Sequence, residues 1–292
     1  MAIIPIYVNR AISDEQRRTR IFDGALFLYA ANPASTKMAN WAKDLASEAF
    51  GEGVDIRHAH VEYPVAEFVK RAGPLKSRFT NDQTTKKICQ ELIVAMGSDP
   101  HRTYFDLPRL RVIPPGNYLS SGVSYNYKPH RDTWYAHPRQ LINYWIPVFD
   151  SELTMVMSMY VDFFRQPVKN ASGEWDYDEW IKNSRYAAAS NLDGEARPHP
   201  LALEDVSEST DIRLIQNAAD LMIFSTCQLH ASVPNRSDLV RYSYDLRTLN
   251  IDDLCDGRGP ENIDAAATGT TLQDFLRVSD LAPLDPESIL VK

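Results

Sequence analysis

The sequence predicts a mostly β domain with helical decoration: a double-sheet jelly-roll core with helices packed on its outside. Three observations predict it. Short apolar runs rich in β-branched and aromatic residues recur between about 105 and 250, separated by turns rich in Pro, Gly and Asn. Stripes of helical period are confined to roughly the first hundred residues. The last apolar run alternates, with Val240, Tyr242, Tyr244 and Leu246 on one face and Arg241, Ser243, Asp245 and Arg247 on the other. A strand with one charged face either borders solvent or lines a polar cavity.

In chain order, Met38, Trp41, Ala42, Leu45, Ala46 and Ala49 recur at helical spacing, after turn and cap signals at Asn32-Pro33 and Ser35/Thr36. A second helix is expected to start at Pro64, carry Val65, Phe68 and Val69, and stop near Gly73-Pro74. A third spans 82–96, with Ile88, Leu92, Ile93 and Met96 on one face and Gly97 ending it. Strands follow at Arg109–Ile113, across Gln140–Val148 and at Leu153–Val161, then at Ile212–Gln216, Leu221–Phe224 and Leu239–Leu246. Residues 165–210 are polar and broken by Gly and Pro, which reads as a lid-like excursion. Its Trp175–Trp180 stretch reads as lid packing. A short helix fits Leu272–Leu276 in an acidic tail. The chain thus reads as one domain, 1–292: a mainly helical part over 1–104, a core over 105–250 with the 165–210 insertion, and a tail over 251–292.

Hydrophobic residues make up 44% and charged residues 24%, the mixture of an ordinary globular protein. The formal net charge is −8 and no Lys/Arg block stands out, which argues against a nucleic-acid partner. Cys89, Cys227 and Cys255 are odd in number and widely spaced, so neither a disulfide framework nor a zinc knuckle is indicated, and a reducing cytoplasm fits. No apolar run approaches the length needed to span a bilayer. No pattern fixes an oligomeric state.

The segment Tyr127–Trp134 places an imidazole and a carboxylate two residues apart. On an extended segment His130 and Asp132 share a face and can bind one ion together. His230, at the end of the apolar run from Asp220, is the best third donor. Two imidazoles and one carboxylate with three positions left open form the facial triad of non-haem Fe(II) oxygenases. Such a site takes a 2-oxo acid and then O2. The distal carboxylate of 2-oxoglutarate needs a cation, and Arg241 on the next strand can grip it with two parallel hydrogen bonds, with the Ser243 hydroxyl on the same face. Arg131, Thr133, Trp134, Arg111 and Tyr125 are expected near the metal mouth as substrate contacts. The local cations Arg111, Lys128, Arg131 and Arg139 point to an acidic small-molecule substrate, or else to a solvated basic rim. His58, His60, His101, His137 and His199 have no partner pattern and read as solvated or capping.

These motifs together resemble the phytanoyl-CoA dioxygenase family of Fe(II)/2-oxoglutarate oxygenases. The resemblance rests on His130-Arg131-Asp132, the strand around Trp145, and His230-Ala231-Ser232-Val233-Pro234-Asn235-Arg236-Ser237 followed by Arg241, and covers about residues 105–250. It implies a double-stranded β-helix (cupin-like) core, with His130, Asp132 and His230 as iron ligands and Arg241 as the 2-oxoglutarate arginine. Ser232 and Trp145 match further co-substrate contacts. It also implies decarboxylation of 2-oxoglutarate to succinate coupled to hydroxylation, or another oxidation, of an unactivated C–H bond. The carboxylate at Asp132 argues against a halogenase, which replaces it with a small residue. Where the family has a Pro-Gly-Ser-His-like turn, this chain reads Met157-Ser158-Met159-Tyr160-Val161-Asp162-Phe163-Phe164, so its substrate need not be a CoA ester. Two other readings share the same residues: a Zn-dependent hydrolase with an activated water, and a non-catalytic jelly roll that binds 2-oxoglutarate.

Overall fold

The computed structural model describes residues 4–116, 118–119, 124, 128–183, 199–206 and 211–286. In order, the elements are β1 (Ile6–Val8), α1 (Asp14–Phe22), β2 (Leu26–Tyr29), α2 (Pro33–Phe50), α3 (Ala59–Glu62), α4 (Val65–Asn81), α5 (Gln83–Ala95), β3 (Thr103–Asp106), β4 (Arg109–Ile113), β5 (Ile142–Pro147), β6 (Met157–Tyr160), α6 (Tyr177–Asn183), β7 (Asp211–Arg213), β8 (Leu221–Ser225), β9 (His230–Ser232), β10 (Arg241–Asn250), α7 (Ile251–Cys255) and β11 (Phe275–Arg277). The large sheet has the order β1-β2-β8-β5-β10-β3-β11, with β4 paired to the first half of β10. A smaller sheet, β7-β6-β9, packs against it through Leu26, Trp145, Met157, Met159, Met222 and Phe224. These are the two sheets of the expected jelly roll.

The alternation in β10 sets the layering. Tyr244 pairs with Leu110 of β4 and Ile146 of β5, so these residues share the outer face of the large sheet. That face packs on α2, α4 and α5 in one continuous apolar core. Tyr242 Oη donates to the Ile56 carbonyl at 3.0 Å and Tyr244 Oη to that of Ser35 at 3.4 Å, so both buried hydroxyls are satisfied. The opposite residues, Arg241, Ser243, Asp245 and Arg247, face the inside of the jelly roll, beside Asn143 and Trp145 of β5. The charged face therefore lines a cavity rather than bordering solvent.

The helices begin where the sequence signals them. Asn32 accepts from the Ala34 and Ser35 N–H groups at 2.9 Å, and Pro33 fills the first turn of α2. Gly97, at φ +84°, follows the last turn of α5. The expected stop at Gly73-Pro74 is corrected: α4 continues through Pro74 to Asn81. An internal proline removes one hydrogen bond and costs about 3 kcal/mol. Burial of Phe68, Ala72, Leu75 and Phe79 along one side of the helix offsets that loss. The first 104 residues are not only helical, because β1 and β2 extend the large sheet. The expected helix at Leu272–Leu276 is a single 3-10 turn (Leu272–Asp274) leading into β11, which pairs with β3. No described helix is long and apolar enough to cross a membrane.

Leu246 is fully buried on the helix-facing side of β10, next to Arg247 on the cavity side. Leu246→Ala should lower the unfolding free energy by about 2–5 kcal/mol in urea titrations. Divalent-metal affinity at neutral pH should stay unchanged, because the substitution leaves the cavity face intact.

Candidate metal and co-substrate site

The site begins with a backbone pairing. His130 and His230 form an antiparallel bridge: each N–H donates to the other's carbonyl at 2.9 Å. Directly opposed residues project their side chains to the same side, and the imidazole centroids lie 4.4 Å apart. Past His130 the chain stays extended through Arg131, then turns as a 3-10 helix over Asp132–Tyr135. The Asp132 N–H donates to Thr226 O at 3.0 Å, which fixes where the turn begins. The expected side-by-side placement of His130 and Asp132 holds, although the extended segment ends at Asp132 rather than beyond it. One ligand atom from each of His130, Asp132 and His230 falls within 4.8 Å of the other two. Asp132 Oδ1 lies 3.5 Å from His130 Nε2 and 3.9 Å from His230 Nε2.

The surroundings prepare these groups for a cation. His130 Nδ1 is 2.7 Å from Lys128 O and His230 Nδ1 is 2.8 Å from Gln228 O. A carbonyl only accepts, so each Nδ1 carries the proton and each Nε2 presents its lone pair inward. Asp132 Oδ2 accepts from Asn143 Nδ2 at 2.7 Å and Arg247 Nε at 3.1 Å, which leaves Oδ1 toward the imidazoles. Arg247 Nη1 also donates to Asp106 Oδ2 at 2.9 Å. Burial pushes the Asp132 carboxyl up, but the Arg247 guanidinium, His130 and His230 outweigh it and hold the group well below the usual carboxylate range. Burial pushes the His230 imidazole down to about 4, with His130 adding to the effect. At neutral pH both the carboxylate and this imidazole are therefore in the form that binds metal.

Arg241 lines the same cavity. Its Nη1 donates to Met155 O at 3.2 Å, but its buried Nε and the buried Ser243 Oγ have no hydrogen-bond partner among the described residues. Burial, and after it the neighbouring Arg111, push Arg241 down to about 10, so it remains charged at neutral pH. A buried cation with an unused donor, beside an unused hydroxyl, suits a carboxylate.

The remaining sequence-predicted residues divide. Ser232, Trp145 and Arg111 line the cavity. Ser243 is not among the lining residues, although it shares the face of β10 that carries Arg241. Arg131, Thr133 and Trp134 are buried and do not line the cavity, which corrects their expected place as substrate contacts. Arg131 donates to Asp264 Oδ2 at 2.9 Å and to the carbonyls of Cys227, Phe163 and Gln166. Trp134 Nε1 donates to Asp264 Oδ1 at 2.8 Å. Tyr125 lies outside the described residues. Among the cations that suggested an acidic substrate, Arg111 holds Asp245 through two bonds of 2.6 and 2.9 Å, and Arg139 donates to the carbonyls of Pro260 and Gly257.

Sequence reasoning missed Arg247, Asn143, His137 and His199 as cavity residues. Arg247 was findable, because it continues the polar alternation of β10. His137 was expected to be solvated or capping, yet it is buried, with Nδ1 2.9 Å from Thr271 Oγ1. No local spacing signals a contact made across 134 residues.

No protein-family model matches the chain, and no curated protein matches it by sequence. Solved structures resemble it. EvdO2 from Micromonospora carbonacea var. aurantiaca is 14% identical, covers 83% of this chain and 92% of its own, and gives a TM-score of 0.47. ThoJ, described as a non-heme monooxygenase, is 14% identical over 81% of this chain and 76% of its own, at 0.42. SnoN, an epimerase solved with Fe3+, alpha ketoglutarate and nogalamycin RO, is 12% identical over 88% and 97%, also at 0.42. The likeness to the phytanoyl-CoA dioxygenase family remains one of motif.

Two predictions follow from these contacts. Arg247→Met should weaken Ni(II) binding about 10- to 100-fold in calorimetric titration, as loss of a partner that orients a ligand does; Asn143→Leu should act in the same direction. The second concerns acid stability. His230 and His137 are both held below the ordinary imidazole value of 6.5, so they bind fewer protons folded than unfolded. The contribution of each is complete above that value; that of His230 is lost as pH falls toward about 4, and that of His137 is lost at acidic pH below 6.5. Asp132 adds a further loss below its ordinary 3.8. These three groups should accordingly lower the urea midpoint of the metal-free protein below about pH 6.5, against the opposite contribution of Asp106, whose carboxyl burial pushes up.

Proposed function

We propose that this protein is an Fe(II)- and 2-oxoglutarate-dependent oxygenase acting on a small molecule. The observation that carries the reading is the pairing, in one buried cavity, of a His-Asp-His donor set with a charged arginine whose Nε is unsatisfied. Two imidazoles and one carboxylate suit Fe(II) and leave half the coordination sphere for other ligands. With iron bound, the site would supply O2 activation coupled to the decarboxylation of 2-oxoglutarate to succinate.

The chain's own residues have distinct parts in this reading. His130 and His230 offer Nε2, with tautomers held by Lys128 O and Gln228 O. Asp132 is kept ionised by Arg247, and Asn143 with Arg247 occupies its second oxygen, so that it binds through one oxygen and leaves positions open. Arg241 receives the distal carboxylate of 2-oxoglutarate, with Ser243 and Ser232 as hydroxyl partners and Trp145 as an apolar wall. Met157, Phe224 and Trp145 exclude bulk water from that end. A carboxylate ligand at Asp132 supports oxidation of an unactivated C–H bond by hydroxylation over halogenation. A hydrolytic zinc site would leave Arg241 and Ser243 without a task.

Anaerobic Fe(II) with 2-oxoglutarate should give the visible charge-transfer band of a chelated 2-oxo acid, and aerobic turnover should release succinate. Asp132→Ala should abolish both. Arg241→Met should weaken 2-oxoglutarate binding about 10- to 100-fold, the loss of a charge-assisted pair, while Fe(II) binding persists. Succinate release that persists in Asp132→Ala would overturn the assignment. Binding of 2-oxoglutarate without any succinate would mark the protein as a non-catalytic binder.

A further inference from the structure

The cavity has a second wall that this reading does not use. Tyr135 follows the metal-ligand turn, and Trp175, Tyr177 and Trp180 come from α6 and the turn before it; all four line the cavity. They form a continuous run of ring contacts starting at a candidate ligand. His130 and Tyr135 have centroids 5.4 Å apart, edge to face. Tyr135 and Trp175 follow at 5.1 Å, Trp175 and Trp180 at 5.9 Å, and Tyr177 and Trp180 at 5.7 Å. These rings line the same cavity as the candidate ligands His130, Asp132 and His230.

Its polar content is small and specific. Tyr135 Oη lies 3.1 Å from His199 Nδ1, and Tyr177 Oη donates to Asp274. The Trp175 indole N–H is buried, on a side chain only 6% exposed, and has no partner among the described residues. A buried unpaired donor is costly, and a ring needed only to pack the lid could be a phenylalanine. Among the described residues no Lys, Arg, Asp or Glu belongs to this wall; the charged groups lining the cavity are Asp132 and residues of β4 and β10. Of the cations there, Arg111 is held by Asp245 and Arg247 by Asp106 and Asp132; Arg241 is assigned to the co-substrate, and Arg109 of β4 interacts electrostatically with Asp106 and Asp245 without an ion pair among the described residues.

We propose that the substrate is an electrically neutral ring compound that lays one apolar face on Trp175 and Trp180 and offers a hydrogen-bond acceptor to the Trp175 N–H. This rests on the oxygenase reading and narrows it, replacing the acidic substrate suggested by the local excess of cations. Stacking on aromatic faces is favourable for planar and saturated rings alike, so the acceptor and the absent charge define the class.

The test uses the full chain loaded with Ni(II) and 2-oxoglutarate, so that nothing turns over. Four probes are titrated by calorimetry: 2-naphthol as a planar ring, octyl glucoside as a saturated ring, and 1-octanol and octanoate as a neutral chain and an anion. At least one ring probe should bind tenfold or more tighter than octanol, with octanoate weakest. Trp180→Ala should weaken that ring probe tenfold or more. Trp175→Phe, which keeps the ring and removes only the N–H, should also weaken it, while octanol changes little. Which ring probe binds tells planar from saturated substrates. Equal or tighter binding of octanol or octanoate overturns the proposal, as does no ring binding at millimolar concentration, or ring binding unchanged in both variants. Ni(II)-dependent 2-oxoglutarate binding is measured separately in each protein. Its presence with no ring preference sinks only the substrate class, whereas its absence sinks the oxygenase reading.

Discussion

Two main-chain hydrogen bonds between His130 and His230 determine most of what this cavity can do. They oppose two residues 100 positions apart and commit both imidazoles to one side of the jelly roll. Side-chain rotamers alone would not hold the rings so closely, because buried imidazoles lose conformational freedom and hydration together. Here the backbone pairing orders the rings, and two local carbonyls settle that Nδ1 is the nitrogen carrying hydrogen. Asp132 reaches the same point from the next turn, held by its own N–H to Thr226. The two imidazoles are thus positioned chiefly by peptide groups, which vary little with side-chain substitution nearby, while the Asp132 carboxylate is oriented by Asn143 and Arg247.

Strand β10 carries the second half of the design. Its outer face fastens the helices with Tyr242, Tyr244 and Leu246, and its inner face carries Arg241, Ser243, Asp245 and Arg247. Putting two arginines in a buried cleft is costly unless anions balance them. Arg247 is balanced by Asp106 and Asp132, which in turn keeps Asp132 ionised. Arg241 lacks such a partner on its Nε. The contrast between two arginines six residues apart on one strand separates the one paired with Asp132 from the one whose Nε has no partner among the described residues.

Much of this was legible in the sequence where a local rule operates. Period-two alternation gave the two faces of β10, cap and breaker residues placed α2 and the end of α5, and a two-residue spacing paired His130 with Asp132. The sequence misled where tertiary packing overrules a local preference. Pro74 reads as a stop, but the buried side of α4 carries the helix past it. Leu272–Leu276 reads as helical, but only one 3-10 turn forms before pairing with β3 takes the chain from Phe275 into a strand. Arg131 and Trp134 read as mouth residues by their proximity to the ligands, whereas their neighbour Asp132 turns inward and they turn toward the tail. His137 and Asn143 were invisible because their roles depend on partners outside their own elements, Thr271 for His137 and the Asp132 turn for Asn143.

Asp264 ties three separate stretches together. Its carboxylate accepts from Arg131 and Trp134 beside the candidate metal ligands and from the Val168 N–H. Arg131 is 1% exposed, so without that anion it would be an uncompensated buried cation, a defect of about 3–5 kcal/mol. The consequence is temporal. A growing polypeptide can assemble its strands as they emerge, but the loop bearing His130 and Asp132 gains the counter-ion of Arg131 only when Asp264, 133 residues further on, has been synthesised, so the candidate metal site is completed only after that stretch emerges.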